Sequence, residues 1–364
     1  MGQASKRPLT ISAQYGLIDQ SEFFDRQIAS KDMSSYYLLK NGEFAYNKSY
    51  SNDYPWGAVK RLDKYECGAL STLYICFNLD NSIVNSDFIS HYFETNKWHK
   101  GVSDIAGEGA RNHGLLNMSV EDYFLTKHYL PSLIEQEKIS YFLNLITARI
   151  ETQSKIIEDL NVEKKVISDK IFSQKPIRKE LLCSFYNKGK AGGTPKSTNK
   201  KYYDGDIPFL SISDMTEQGK YLYRTQRTLT QEGLENSTAW IVPENSLILS
   251  MYASVGQVAI NKIPLATSQA MFSMTLKDKN TVDFLYYYLS YFRENKLHKY
   301  LETGTQSNIN ADFVKSIEIP YYGDSKNKQI VSLLSLMDER IQKEKDILAL
   351  YKKQKAYLLS NMFI

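Results

Sequence analysis

The sequence predicts an α+β fold: two tandem mixed α/β segments, each followed by a long α-helix. Two observations carry this. The chain repeats itself at a near-constant offset, and each copy ends in a sustained heptad stripe. Tyr92-Phe93 and Asn96-Lys97-Trp98-His99-Lys100 recur as Tyr291-Phe292 and Asn295-Lys296-Leu297-His298-Lys299, an offset of 199. Gly57-Ala58-Val59 against Gly256-Gln257-Val258 keeps that offset. Arg149-Ile150 against Arg340-Ile341, and Ile171-Phe172 against Met362-Phe363, stand 191 apart, so the first copy carries eight extra residues between Lys100 and Arg149. Thr10-Ile11-Ser12 resembles Ser211-Ile212-Ser213.

Each copy shows the same order of elements. Ser71–Phe77 and Ser246–Met251 are short apolar runs rich in β-formers and predict strands. Asn41-Gly42, Gly192-Gly193, Asp204-Gly205 and Tyr322-Gly323 are turn signals. Asp87–Lys97 and Val282–Lys296 space aromatic and apolar residues by three and four, which predicts short helices. His99 and His298 then fall beside lysines at the ends of these helices, where a C-terminal cation is expected.

The heptad stripes come last. In the first copy Ile139, Leu143, Ile146, Ile150, Gln153, Ile157, Leu160, Lys164, Ile167 and Ile171 step by four and three. In the second, Ile330, Leu334, Met337, Ile341, Glu344, Leu348, Tyr351, Lys355, Leu358 and Met362 do the same. This predicts two helices that pair as an antiparallel coiled coil with pseudo-two-fold symmetry. The residues that define it are Ile146, Ile150, Gln153, Ile157, Leu160, Lys164, Met337, Ile341, Glu344, Leu348, Tyr351 and Lys355. Both stripes break at matching polar places, Gln153 with Glu344 and Lys164 with Lys355. Polar residues tolerated near a solvated seam explain this, and so does register selection, in which Lys164 would face Glu344 and Gln153 would face Lys355.

Composition bounds the function. Lys+Arg 45 against Asp+Glu 41 gives a net charge of +4, too small for a polycation. Glu135–Phe172 holds seven acids and six bases, so the excess cations lie mainly outside that helix. The 27 tyrosines, against 16 Phe and 3 Trp, suit surfaces that bind something. Three cysteines with no C-x-x-C pair, a polar Met1–Thr10 and no long apolar run predict a reduced, cytoplasmic setting without a membrane span. The five histidines show no metal spacing.

Chemistry-bearing motifs are weak. Gly107-Glu108-Gly109 has Asn112 where a third glycine is needed, and Gly189–Thr198 has Thr194 where a Walker loop needs its second glycine. No two prolines adjoin, so an (Asn/Asp)-Pro-Pro-(Tyr/Phe) methyltransferase loop is missing. No catalytic or metal residues are predicted.

Further wording is more specific. Gly192-Gly193-Thr194-Pro195, Gly205-Asp206-Ile207-Pro208-Phe209-Leu210, Thr303-Gly304-Thr305-Gln306 and Asn308-Ile309-Asn310 resemble the opening and closing signatures of a target-recognition domain. Glu135-Gln136 followed by Ile139 looks like the start of a first conserved helical region. Taken in order, these resemble the specificity subunits of type I restriction-modification systems, over nearly the whole chain. The departures are Lys326-Asn327-Lys328-Gln329-Ile330 where Glu-Gln is usual, and a first copy with no counterpart to residues 175–209 or to Asp338.

The resemblance implies target-recognition domain 1 at 1–131, without its opening segment, and a first coiled-coil helix at 132–174. Target-recognition domain 2 follows at 175–320, and a second helix at 321–364. It implies a non-catalytic subunit that reads a bipartite asymmetric site in double-stranded DNA. Two methyltransferase subunits, which take S-adenosylmethionine for adenine N6 methylation, would dock on it, as would restriction subunits that use ATP and Mg. No cofactor is implied on this chain. A coiled-coil scaffold that binds only protein is the competing reading. Candidate DNA contacts are Lys48, Ser49, Tyr50, Tyr54, Lys60 and Arg61 in the first copy. In the second they are Lys196, Lys200, Lys201, Arg224, Arg227 and Tyr252. Solvated surface loops, and for the tyrosines a place in the core, are the ordinary alternatives.

Overall fold

A computed structural model describes residues 7–12, 15–24, 33–106, 114–301 and 308–363. The Thr303–Gln306 signature, the Gly107-Glu108-Gly109 motif and His113 lie outside the described residues. The chain packs as two units, residues 1–156 with 344–364, and residues 157–343.

Unit 1 opens with strands β1 (Leu9–Ser12) and β2 (Gly16–Asp19), then a short helix α1 (Gln20–Phe24). Strands β3 (Tyr37–Lys40), β4 (Phe44–Asn47), β5 (Ala58–Arg61), β6 (Cys67–Leu70) and β7 (Ile75–Phe77) follow. Helices α2 (Ser86–Tyr92), α3 (His99–Ile105) and α4 (Val120–Phe124) lead to the long α5 (Leu133–Phe172). The centre of the unit is the antiparallel sheet β5-β4-β7. Phe44, Tyr46 and Val59 on that sheet pack against Phe88, Tyr92 and Trp98, and these in turn against Leu143, Ile146 and Phe363 of the long helices. The strand predicted over Ser71–Phe77 is confined to its last three residues, because Ser71 to Tyr74 form a turn closed by Tyr74 N–H on Ser71 O at 3.1 Å.

Unit 2 begins with β8 (Arg178–Leu181), β9 (Tyr186–Ala191), β10 (Tyr203–Leu210), α6 (Ile212–Gln218), β11 (Tyr221–Leu222) and β12 (Arg227–Leu229). Helix α7 (Gln231–Glu235) and strands β13 (Ile241–Val242), β14 (Leu247–Ser250), β15 (Val258–Asn261), β16 (Leu265–Thr267) and β17 (Met271–Leu276) come next. Then follow α8 (Val282–Asn295), α9 (His298–Leu301), α10 (Ala311–Ser316), β18 (Glu318–Tyr321) and the second long helix α11 (Asp324–Met362). A five-stranded sheet, β11-β15-β14-β17-β9, and a four-stranded sheet, β12-β10-β16-β13, form the globular part of the unit, and β8 pairs antiparallel with β18. The β15-β14-β17 core repeats the order of β5-β4-β7: a central strand with the next strand on one side and a later one on the other.

The duplication is therefore structural as well as textual at this central sheet, but one textual match is not a structural one. Thr10-Ile11-Ser12 lies in a strand, whereas Ser211 caps a helix that contains Ile212 and Ser213. The Ser211 hydroxyl accepts from Asp214 N–H and the Asp214 carboxylate accepts from Ser211 N–H, so a capping box decides the second case. The two histidines also sit differently from expectation. His99 and His298 begin α3 and α9 rather than ending helices. His99 packs edge-on to Trp98 at 4.7 Å, and burial lowers its pKa, which favours the neutral ring.

The long helices are amphipathic along their length. Every stripe position from Ile139 to Ile171 and from Ile330 to Met362 is buried or half-buried, while most intervening positions are exposed. A 40-residue helix at 1.5 Å per residue is about 60 Å long. Within each unit the two helices run antiparallel. In unit 1 Gln153 meets Glu344, and Leu143 and Ile146 share a core with Leu358 and Phe363. In unit 2 Lys164 meets Asp338, and Ile167 and Phe172 share a core with Ile330 and Leu334.

The predicted register is not the one adopted. Gln153 Nε2 donates to Glu344 O at 3.1 Å and to the Glu344 carboxylate. Residues 153 and 344 are counterparts in the repeat, and counterparts meet at the centre of an antiparallel pair. Lys164 takes Asp338, and Lys355 reaches off its helix to Glu94 at 2.8 Å. Nearer acids satisfy both lysines, so neither is available to fix the register first assumed.

Candidate nucleic-acid interface

The loop that joins β4 to β5 and the one that joins β14 to β15 are built alike. In unit 1 the loop 48–57 joins β4 to β5. Asn47 Oδ1 accepts from Ser49 N–H at 2.9 Å, and Ser51 and Tyr54 exchange backbone hydrogen bonds at 3.1 Å. Ser49 and Tyr54 are exposed; Lys48 and Tyr50 are half-buried, and both backbones bond the 114–116 segment. Gly57 closes the loop at φ +78°, where an added Cβ would stand 2.2 Å from Asn47 O. In unit 2 the loop 251–257 joins β14 to β15 and closes on Gly256 at φ +76°. Ser250 Oγ donates to Tyr252 O and Ala253 O at 2.6 and 2.8 Å, which fixes the turn and leaves the Tyr252 ring 43% exposed.

The remaining unit 1 candidates have partners of their own. Arg61 donates to Asp63, Asp87 and Ser86 at 2.7, 2.6 and 2.9 Å, so its guanidinium ties β5 to the start of α2. Lys60 is half-buried in a cavity of about 470 Å³ with Tyr54, Glu94 and Lys355. Burial lowers the Lys60 pKa, Glu94 raises it and Lys355 lowers it further. Burial alone would raise the Glu94 carboxyl; hydrogen bonds and charge from His91 and Lys355 outweigh it and hold Glu94 at about 2.

In unit 2 Lys196, Lys200 and Lys201 are exposed on the 195–202 loop. The Tyr203 hydroxyl pins that loop by donating to Pro195 O at 2.7 Å, and Arg227 stacks 5.0 Å from the Tyr203 ring. Arg227 thus stands beside the lysine loop. Arg224, also exposed, is ion-paired with Glu217. Three residues escaped the sequence reading. Gln269 is exposed at the tip between β16 and β17; it accepts from Thr194 Oγ1, while its neighbour Ala270 O accepts from Met251 N–H at 2.7 Å. The tip therefore bridges the Gly192–Lys201 loop and the Tyr252 loop. Lys188 and Lys190 on the edge strand β9 add charge beside Trp240, at 4.1 and 5.8 Å from its ring. Alternate exposed lysines on an edge strand were the available signal. Gly192 explains the Gly-Gly-Thr-Pro wording: a Cβ there would stand 1.9 Å from Thr267 O.

A family model described as the type I restriction modification DNA specificity domain matches residues 182–350. That stretch is similar to the DNA specificity domain of type I restriction-modification systems. The matched stretch takes in the 195–202 loop, the Tyr252 loop and the Gln269 tip, and ends inside α11. The MjaIX type I specificity subunit of Methanocaldococcus jannaschii is 30% identical over 179 residues, 48% of this chain and 40% of that protein. The HindI specificity subunit of Haemophilus influenzae is 28% identical over 169 residues, 43% of this chain and 37% of its own length. The alignments thus span about two-fifths of these curated relatives. The S subunit of a type I system from M. genitalium superposes with a TM-score of 0.55 at 15% identity, covering 90% of this chain and 84% of that one. A chain from a structure of type I system assembly and conformational transition gives 0.58 at 14%, covering 89% and 82%. These two likenesses speak for the fold alone, two globular segments with long helices. Among the described residues no helix is long and apolar enough to cross a membrane, and no three His, Cys, Asp or Glu side chains group as metal ligands.

Proposed function

We propose that the chain is the DNA-reading, non-catalytic subunit of a type I restriction-modification complex. Each unit reads one half of a bipartite asymmetric site in double-stranded DNA. The long helices set the spacing of the half-sites and dock two methyltransferase subunits, which carry S-adenosylmethionine and methylate adenine N6. Restriction subunits using ATP and Mg join through them, in the cytoplasm.

The observation that carries this reading is the recurrence in both units of one hairpin that exposes a tyrosine and is closed by a positive-φ glycine. In unit 2 the lysine loop and Arg227 flank it, a disposition suited to phosphate contact around base contact. Coexpression with the neighbouring methyltransferase subunit, followed by genome-wide mapping of N6-methyladenine, tests the reading. A bipartite motif is expected. Its loss of one half on replacing Tyr252 and Gln269 by Ala would assign that half to unit 2. Removing Lys196, Lys200 and Lys201 together should weaken binding across sequences and flatten its salt dependence by up to about three charges. Methylation that is absent or without motif overturns the reading.

A further inference from the structure

One piece of the repeated wording has no part in the hairpins: Asn295-Lys296, at the end of α8 in unit 2. Lys296 is half-buried in a pocket of about 370 Å³ between the end of α5, β8 and β18. Lys175 and Lys179 line the same pocket, with Tyr288, Tyr291 and Tyr322. The Lys296 ammonium stands 5.6 and 5.3 Å from the Tyr288 and Tyr291 ring centres, so two buried rings hold it in place.

The acids around it are engaged elsewhere. Glu318 accepts from Lys179 at 2.7 Å, and Asp169 accepts from the Asn295 amide at 3.0 Å. Among the described residues Lys296 makes no ion pair. Burial lowers its pKa, the charges of Lys179 and Lys299 lower it further, and Glu318 offsets this only in part. A half-buried ammonium beside other cations is unfavourable until an anion joins it. Three lysines against the one carboxylate of Glu318, 3 − 1, leave the pocket at +2. The Tyr288 and Tyr291 hydroxyls have no hydrogen-bond partner among the described residues, and burial raises the pKa of both, so each keeps a proton to donate.

We propose that this pocket binds a phosphate group, which Lys296 and Lys175 contact directly and Lys179 attracts from its place on Glu318. A phosphate dianion matches the +2 charge, and ammonium and hydroxyl donors together suit its several oxygens. These residues are not the ones proposed to read bases. The group belongs either to the DNA backbone or to a free phosphate, and the chemistry of capture is the same for both.

Calorimetry on the full chain with inorganic phosphate tests this, with acetate as the carboxylate control and ionic strength held constant. Phosphate should bind saturably and about tenfold more tightly than acetate, since it brings a second charge. Lys296→Met should weaken phosphate binding about tenfold, the loss of one charge-assisted contact. Lys175→Ser, at an exposed position where nothing is packed, should weaken it about threefold. Duplex binding separates the two sources. If the DNA backbone supplies the group, phosphate competes with a duplex, and Lys296→Met lowers the slope of log affinity against log salt by about one. If a free phosphate is the ligand, duplex binding is unchanged by phosphate and by the variant. A chain that binds phosphate but no duplex keeps this site and loses the DNA-reading role. No saturable phosphate binding, equal binding of acetate, or binding that neither variant weakens overturns the proposal.

Discussion

The two units hold their recognition segments on the long helices with the same apolar wedge and different polar anchors. Phe172 and Phe363, counterparts in the repeat, are each 4% exposed. Phe172 packs at 5.2–6.1 Å from Phe284, Tyr288 and Tyr291, and Phe363 at 5.0 and 5.9 Å from Phe88 and Tyr92. Lys164 and Lys355 are counterparts too, but their acids come from different places. In unit 1 Lys355 pairs with Glu94, next to α2. In unit 2 the Glu94 position is Arg293, and Lys164 pairs instead with Asp338 of α11, whose unit 1 counterpart is Thr147. Tyr287 of α8 then donates to Asp338 at 2.7 Å and Lys220 to Tyr287 at 2.9 Å, with Lys220 also paired to Asp283 at 2.8 Å. A lysine in a heptad stripe needs one acid within reach, and either a helix or a recognition segment can provide it.

The largest expected effect tests the shared part. Phe172→Ala and Phe363→Ala should each cost about 3–5 kcal/mol, as loss of a buried aromatic does. Hydrogen exchange should place the damage in unit 2 for the first and unit 1 for the second. Protection lost equally in both units for either variant would refute separate anchoring.

The next effect tests the part that differs. Glu94→Arg gives unit 1 the residue of unit 2 and sets a third cation beside Lys355 and Lys60. A loss of about 1–3 kcal/mol is expected, reduced from the buried-pair figure because Glu94 is partly exposed. Adding Thr147→Asp rebuilds the Asp338 arrangement and should recover much of that loss. A double variant no more stable than Glu94→Arg alone would show that the two anchors are not interchangeable.

Acid should separate the units by the same residue. The Glu94 carboxyl titrates at about 2 in the fold, below its ordinary 4.5. Its stabilisation is therefore complete above about pH 4.5 and is lost as pH falls toward 2. Glu94→Gln should flatten the acid limb of unit 1 melting over that window; an unchanged limb would remove Glu94 as its cause.

How much of this was legible follows from which interactions are periodic. The heptad stripes set their own burial pattern, so the long helices could be read residue by residue. The partners of Lys164, Lys355 and Gln153 could not, because they depend on where α2 and α8 dock, and no local signal encodes that. The tyrosines divide between core and surface, and composition alone does not say which go where. Tyr46, Tyr92, Tyr123, Tyr287, Tyr288 and Tyr291 are buried in the cores, while Tyr129, Tyr141, Tyr223, Tyr252 and Tyr357 are among those that face solvent. The 48–57 loop is legible as a polar stretch between strands, but Gln269 is not, since only the fold brings the β16–β17 tip beside Thr194 and Met251.

The smallest effect separates two glycines that the sequence treats alike. Gly57 and Gly256 close equivalent hairpins at φ +78° and +76°, so alanine at either pays the left-handed penalty of roughly 1 kcal/mol. Their neighbours differ. At Gly57 the new methyl meets a backbone oxygen, Asn47 O, which cannot withdraw without breaking β4 from β5. At Gly256 it meets Leu297 Cδ2 at 2.5 Å, the end of a side chain that can rotate away. Gly57→Ala should therefore destabilise unit 1 by about 1 kcal/mol more than Gly256→Ala destabilises unit 2, and should disturb the Ser49–Tyr54 loop. Equal losses would mean that the φ penalty alone decides, and that the β4–β5 hairpin has the same freedom to adjust as its counterpart.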